Sequence, residues 1–201
     1  MTSFTLVKLM IIKTHIWKII NWLHKYIAAP RMVLGYKRHD GVYLTKTRLS
    51  NSVDIIRPDQ LDIGDNVFIW HHSILECSNG VAIEEGCQIG ANVLITSHSS
   101  HIAIRLYGRH YIGQPSYIGY ITGKVKIGKY SFIGPYSTIM PETQIGKGSI
   151  VAAYSLVKGT FPDFAIIAGN PAKMVGDTRK MDRQFFEANP ELYNYYNEWA
   201  D

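Results

Sequence analysis

The sequence predicts an all-β protein, a parallel β-helix shaped as a triangular prism, because it carries a repeat of six residues. Aliphatic residues recur at every sixth position over most of residues 60–177, and a small or modest side chain follows four positions after most of them. A period of six fits neither an α-helix, which repeats every 3.6 residues, nor a flat strand, which repeats every two. The aliphatic positions are Ile63, Ile69, Leu75, Ile83, Ile89, Ile95, Ile121, Ile127, Ile133, Ile139, Ile145, Val151 and Val157.

Each hexapeptide is expected to supply one short strand and one corner, so that three of them complete a turn of about 18 residues. The aliphatic side chain points into the prism and stacks on its equivalents above and below, and the small residue fills the narrow corner. Glycine directly follows several of the aliphatic residues, as at Ile127-Gly128 and Ile133-Gly134. We expect this glycine to allow the backbone conformation that the corner needs.

The repeat is interrupted twice, and counting places both interruptions at the same corner. Extra residues fall near Ser78–Val81, and a long loop, residues 97–123, leaves the coil one turn later. The small bulge is therefore expected directly beneath the loop, and Glu76 beneath Thr96. We interpret Glu76 as a solvated surface residue, with the orientation of a loop histidine as the alternative. Because loops on a rigid scaffold often carry the chemistry, this corner is the predicted site.

The N-terminal residues 1–40 are predicted to form a basic amphipathic helical arm. Residues 4–28 contain neither glycine nor proline, and Pro30 follows as a stop signal. The helix is expected either to pack on protein or to lie on an anionic membrane surface, since no run of about 18 apolar residues could span one. The basic residues of 1–39, which include no Asp or Glu, are Lys8, Lys13, Lys18, Lys25, Arg31, Lys37 and Arg38.

The remaining composition argues against several classes of protein. The other 14 basic and all 16 acidic residues lie from Asp40 onward, so residues 41–177, the predicted β-helix domain, offer no basic surface for nucleic acid. Cys77 and Cys87 fit no disulfide framework or metal motif and are expected to be buried free thiols. Residues 178–201 lose the repeat, and two short helices separated at Pro190 are expected to cap the open end of the coil.

The loop carries three histidines, His98, His101 and His110. Imidazole has an ordinary pKa near 6.5, so it can accept a proton from a poor nucleophile such as a hydroxyl at neutral pH. We predict that His98 or His101, which lie three residues apart at the mouth of the loop, is a general base.

The chain resembles the hexapeptide-repeat acyltransferases over residues 60–177. The repeat carries this resemblance together with the histidine-bearing loop and the segment IGKGSIVAAYSLVKGTFPDFAIIAGNPAKMVG, residues 145–176. It implies a left-handed β-helix, a homotrimer with active sites between neighbouring prisms, and a loop histidine as the base, with His101 preferred over His98. It also implies that acetyl-CoA lies along the groove between prisms and contacts Gly134, Ala152, Ala153, Lys158 and Lys173.

The expected function is direct transfer of an acetyl group from acetyl-CoA to a sugar hydroxyl in surface polysaccharide or glycan biosynthesis. The loop residues expected to contact the carbohydrate are Arg105, Tyr107, Arg109 and Tyr111. The alternatives are an N-acetyltransferase acting on an amino sugar or an antibiotic, a non-catalytic trimeric spacer, and a zinc hydratase of the γ-carbonic anhydrase type with His71 and His72 among its ligands. We expect no metal, no nucleic-acid partner, and a cytoplasmic protein that contacts the inner membrane face through residues 4–28.

Overall fold

The structure is a computed structural model that describes residues 15–23 and 29–200. The chain divides into two compact units between Arg31 and Met32. In the first unit, residues 15–23 form helix α1, in agreement with the predicted helix; the rest of the predicted range 4–28 lies outside the described residues. None of the described helices combines the length and the apolar character that a membrane span requires.

The second unit contains a parallel β-helix with three faces, which confirms the predicted fold class. Face 1 consists, in spatial order, of β1 (Met32–Lys37), β2 (Tyr43–Ser50), β5 (Phe68–Ile69), β8 (Gln88–Ile89), β13 (Phe132–Ile133), β16 (Ile150–Val151), β19 (Ala165–Gly169) and β20 (Ala172–Asp177). Face 2 consists of β3 (Asp54–Ile56), β6 (Ile74–Glu76), β9 (Leu94–Thr96), β14 (Thr138–Ile139) and β17 (Leu156–Val157). Face 3 consists of β4 (Leu61–Ile63), β7 (Val81–Ile83), β12 (Val125–Ile127), β15 (Gln144–Ile145) and β18 (Thr160–Phe161).

The aliphatic residues of the repeat form the core of the prism. Twelve of the thirteen predicted positions are at most 2% exposed. The prediction is wrong for Ile121, which is half-buried and lies in β11 (Ile121–Thr122). This strand pairs antiparallel with β10 (His98–Ser99), so Ile121 belongs to the base of the loop, and the coil resumes only at β12.

The coil begins before residue 60, the predicted start of the repeat. Leu49 in β2 aligns with Ile69, and Ile55 in β3 aligns with Leu75. The six-residue spacing of Leu49 and Ile55 was the available signal, but a single repeat is too short to stand out from chance.

The glycines that follow the aliphatic residues allow close packing between turns, whereas the sequence predicted that they allow an unusual backbone conformation. Left-handed backbone conformation falls three positions after the aliphatic residue, as at His72 and Tyr136, both with φ 60°. A Cβ at Gly128, by contrast, would lie 2.5 Å from the backbone nitrogen of Lys147 in the next turn. Glycine therefore allows successive turns to approach each other closely.

The aliphatic stack makes a direct prediction for stability. Ile133 is fully buried and lies between Ile89 and Val151 of the neighbouring turns. Ile133→Ala is expected to lower the free energy of unfolding by about 2–5 kcal/mol, because it leaves a cavity in a column that cannot collapse. Urea unfolding measures the change. The same replacement at Ile112, which is 90% exposed, serves as the control and is expected to stay within about 0.5 kcal/mol of the parent; equal losses in both variants would contradict the assignment.

The C-terminal segment forms two helices, α3 (Thr178–Ala188) and α4 (Leu192–Ala200), separated around Pro190 as predicted. The ring of Trp199 lies 4.7 Å from that of Tyr130 and 6.0 Å from that of Phe164, two residues of the corner between faces 3 and 1. These contacts run along a side of the prism, whereas the sequence suggested a cap across its open end. Strand β20 covers the outer edge of face 1 by pairing antiparallel with β19.

Candidate active site

One corner of the prism, between faces 2 and 3, carries the loop 97–123, the longest connection between strands of the coil. Residues 57–60, residues 77–80 and the loop 97–123 leave the prism there in three successive turns. The prediction that the loop lies directly above the bulge, made by counting hexapeptides, is therefore confirmed. The antiparallel pair of β10 and β11 closes the base of the loop, whose outer part contains helix α2 (Ala103–Tyr107) and a 3₁₀ turn at Gly108–His110.

Glu76 ends strand β6 beneath the loop and pairs with Thr96, as counted. It is only 7% exposed, so its interpretation as a solvated surface residue is wrong. Its Oε2 accepts hydrogen bonds from the backbone N–H and the hydroxyl of Ser97, at 3.2 and 2.9 Å, and its Oε1 accepts one from the backbone N–H of Ser78 at 3.0 Å. The Nδ1 atom of His98 lies 2.7 Å from the same Oε2.

The surroundings of Glu76 keep it ionised. Burial raises the pKa of the carboxyl group, but hydrogen bonds from Ser78 and Ser97 outweigh burial and lower the pKa to about 2. A permanent carboxylate can only accept hydrogen bonds, so the proton between it and His98 resides on Nδ1. In the neutral imidazole, Nε2 of His98 then carries the lone pair, which is the tautomer a general base requires.

The imidazole of His98 is also held from one side by an aromatic ring. Tyr120 stacks on it with ring centroids 5.4 Å apart and planes 15° from parallel. The side chain of His98 nevertheless remains 32% exposed. One edge and one face of the ring are thus fixed by protein, while part of it faces solvent at the mouth of the loop.

His101 lies in a different environment. It is exposed, and its Nδ1 atom lies 2.8 Å from the hydroxyl oxygen of Ser99. Its backbone carbonyl accepts a hydrogen bond from the guanidinium of Arg105. Arg105 and Arg109 are both exposed on the outer part of the loop. His101 is thus paired with a hydroxyl group, whereas His98 is paired with a carboxylate.

The two tyrosines predicted to contact an acceptor belong to a row of rings that ends on His98. Tyr117 lies 5.9 Å from Tyr107, 4.6 Å from Tyr111 and 6.0 Å from Tyr120, measured between ring centroids. Tyr120 in turn stacks on the imidazole. Tyr117 and Tyr120 could not be predicted from the sequence, because they lie within the loop, where the repeat gives no register.

The residues predicted to bind acetyl-CoA do not surround His98 within one chain. Gly134, Ala152 and Ala153 follow β13 and β16 at the corner between faces 1 and 2. The N–H groups of Gly134 and Ala152 both donate within the coil, at 2.8 Å each. Ala153 is exposed.

The two predicted lysines are both exposed but lie on different parts of the prism. Lys158 directly follows β17, at the same corner as His98, whereas Lys173 lies in β20 at the edge of face 1. Of the five residues predicted to contact acetyl-CoA, Lys158 is therefore the one that shares a corner with the histidine.

The two cysteines lie in the core of the prism, and His71 lies at the corner between faces 1 and 2. Cys77 and Cys87 are buried free thiols, as predicted, and burial raises the pKa of each to about 12. The Nδ1 atom of His71 lies 2.7 Å from the hydroxyl oxygen of Ser50. Within residues 15–23 and 29–200, no three His, Cys, Asp or Glu side chains are grouped to hold a metal ion.

A three-faced parallel β-helix built on hexapeptides is the fold of hexapeptide-repeat proteins. Residues 60–97 match the family model described as the hexapeptide repeat of succinyl-transferase, and residues 124–159 match the bacterial transferase hexapeptide model of six repeats. These two matches confirm the resemblance to the hexapeptide-repeat acyltransferases that the sequence indicated.

The chain is also similar to individual relatives in sequence and to solved structures in fold. A putative acetyltransferase of Bacillus subtilis, YvoF, is 27% identical over 82% of this chain and 70% of its own length. The dTDP-4-amino-4,6-dideoxy-D-glucose acyltransferase of Escherichia coli is 28% identical over 60% of this chain and 62% of its own length. A galactoside acetyltransferase solved with coenzyme A has the same fold, with a TM-score of 0.57 and 21% identity over 65% of this chain and 62% of the other.

Proposed function

We propose that the protein transfers an acetyl group from acetyl-CoA to a hydroxyl of a sugar, in the synthesis of a surface polysaccharide or glycan. The observation that carries this proposal is the 2.7 Å contact between Glu76 and His98 at the mouth of the loop. Support also comes from relatives that are named as acetyltransferases and, in one case, as an acyltransferase of a sugar nucleotide.

In the proposed mechanism His98, rather than the initially preferred His101, is the general base. Nε2 takes the proton of the acceptor hydroxyl as its oxygen attacks the thioester carbonyl, and Glu76 stabilises the imidazolium that forms. The tetrahedral intermediate then expels the CoA thiolate, which takes up the proton from His98, and the acetyl group is left on the acceptor oxygen. No covalent enzyme intermediate is required, and the high pKa of both buried thiols makes a cysteine nucleophile unfavourable.

The distance between His98 and most of the residues predicted to bind acetyl-CoA supports a homotrimer with active sites between chains. The corner that carries Gly134 and Ala153 and the corner that carries His98 are the two borders of face 2. Copies packed through this face would bring the histidine of one chain beside the acetyl-CoA residues of the next. The outer side of face 2 is suitably apolar, with Ile74 40% and Leu94 36% exposed.

The acceptor is proposed to lie under the loop, in contact with Tyr107, Tyr111, Arg105 and Arg109. Tyrosine rings stack on sugars through their apolar faces, and arginine offers several hydrogen-bond donors. An amino group is the second candidate acceptor, because the E. coli relative is named for an amino sugar. A cytoplasmic location at the inner membrane face stays a prediction, in keeping with two unpaired cysteines.

The test combines the purified protein with acetyl-CoA and a panel of neutral sugars, nucleotide sugars and amino sugars, and follows the release of the CoA thiol. The proposal expects release that depends on a hydroxyl acceptor and a product that neutral hydroxylamine cleaves, as it does an ester. A hydroxylamine-stable product formed only from amino sugars would assign N-acetylation instead. Stoichiometric zinc in the protein together with hydration of CO₂, and no CoA release, would point to the hydratase alternative.

A further inference from the structure

Helix α1 exposes all the apolar side chains that it carries. Its residues belong to the compact unit that ends at Arg31 and is separate from the β-helix. An apolar surface of this density on a short helix is typical of a surface that another partner covers. The exposed fractions are 51% for Ile16, 55% for Trp17, 59% for Ile19, 45% for Ile20, 60% for Trp22 and 40% for Leu23.

The side chains of α1 are sorted around the helix by polarity. At about 100° per residue, the positions i, i+3, i+4 and i+7 share one side. The two tryptophans fall on opposite borders between that side and the polar side, which carries Lys18 and Asn21. The residues on the apolar side are Ile16, Ile19, Ile20 and Leu23.

The charge around this helix has a single sign. The first 39 residues contain seven Lys and Arg and no Asp or Glu, whereas the rest of the chain is slightly acidic. Basic residues beside an apolar helix face attract anionic lipid headgroups. Tryptophan prefers the boundary between headgroups and acyl chains, because its ring is apolar and its N–H is polar.

We propose that α1 lies in the surface of an anionic lipid bilayer. The isoleucine and leucine side chains enter the acyl region, the tryptophans mark the boundary, and Lys18 and Asn21 face the headgroups and water. A second copy of this chain would cover the apolar side but would gain nothing from the uniform positive charge, which disfavours self-association. The inference holds whether or not the β-helix transfers acetyl groups.

The test sediments the full chain with vesicles. Binding is expected to vesicles of equal parts phosphatidylcholine and phosphatidylglycerol, to weaken with added salt, and to be much lower on phosphatidylcholine alone. Equal binding to both kinds of vesicle, or no binding to either, would overturn the proposal.

A pair of neighbouring variants tests the orientation of the helix. Ile20→Glu and Asn21→Glu add the same charge at adjacent positions on opposite sides. Ile20→Glu is expected to lose at least about tenfold more vesicle binding than Asn21→Glu, since only the first places a carboxylate among the acyl chains. Ile20→Ser repeats the test without a charge, and an unchanged thermal midpoint shows that the β-helix is intact. Equal losses from both glutamate variants would contradict the proposed orientation of the helix. A particle mass in light scattering that falls in Ile20→Glu, without vesicle binding by wild type, would show instead that the helix joins copies of the chain.

Discussion

Replacing His98 with alanine is expected to lower the rate of acetyl transfer by about 10²–10⁴-fold, the usual contribution of a general base. The imidazole is the one in the loop that contacts an ionised carboxylate, and its ring is further fixed by the stacked Tyr120. The measurement is acceptor-dependent release of CoA at saturating acetyl-CoA. The KM for acetyl-CoA is expected to change little, because the proposed base acts on the acceptor hydroxyl rather than on the CoA moiety.

His101→Ala is the matched control for this variant. Its side chain is exposed and contacts the hydroxyl of Ser99, so the rate is expected to stay within about tenfold of the parent. A collapse of the rate in His101→Ala with near-normal activity in His98→Ala would reverse the assignment of the base.

Replacing Glu76 with glutamine is expected to lower the rate of acetyl transfer by about 10²–10⁴-fold. Losses of this size occur in other enzymes when the carboxylate that orients a catalytic histidine is replaced by an amide. The amide N–H would donate to Nδ1 and move the imidazole proton to Nε2, which then can no longer accept one. Glu84→Gln is the control, because Glu84 also pairs with a neighbour, Lys126 at 2.8 Å, but follows strand β7 on another corner. Similar losses in both variants would indicate a general effect of removing a carboxylate from the coil.

Glu76→Gln is also expected to change the free energy of unfolding in a pH-dependent way. The pKa of Glu76 is about 2 in the folded protein, below its ordinary value of 4.5. The carboxylate therefore stabilises the fold fully above about pH 4.5, and this contribution is lost as the pH falls towards about 2. We expect wild type to be more stable than Glu76→Gln by about 2–3 kcal/mol near neutral pH and the difference to shrink in acid. Urea unfolding at several pH values measures it, and a difference independent of pH would contradict the pKa assignment.

Counting the hexapeptides was sufficient to place Glu76 beneath Thr96 and the bulge beneath the loop. A solenoid has a fixed register, so each residue of the coil is located by its number in the repeat. The same counting failed at Ile121, since an aliphatic residue in step with the repeat can still lie in a hairpin that leaves the coil. It also missed the first turn, where only Leu49 and Ile55 carry the pattern.

The choice between His98 and His101 depended on information that the repeat does not contain. Both lie in the loop, where the six-residue register no longer applies. Strand β10 places His98 at the base of the loop, within reach of a carboxylate one turn below, and leaves His101 exposed. The interpretation of Glu76 as solvated failed for the same reason: its burial comes from the loop that covers it rather than from its position in a strand.

The closure of the loop at its base separates the evolution of specificity from that of the scaffold. A single hydrogen bond of 2.9 Å joins the N–H of Gly123 to the carbonyl of Ser97, and β10 and β11 pair directly outside it. The 25 residues between these two positions therefore affect the strands of the prism no more than a short bulge does. Insertions, deletions or whole exchanged segments between His98 and Thr122 can alter the chemistry offered to an acceptor without shifting the register of the strands on either side.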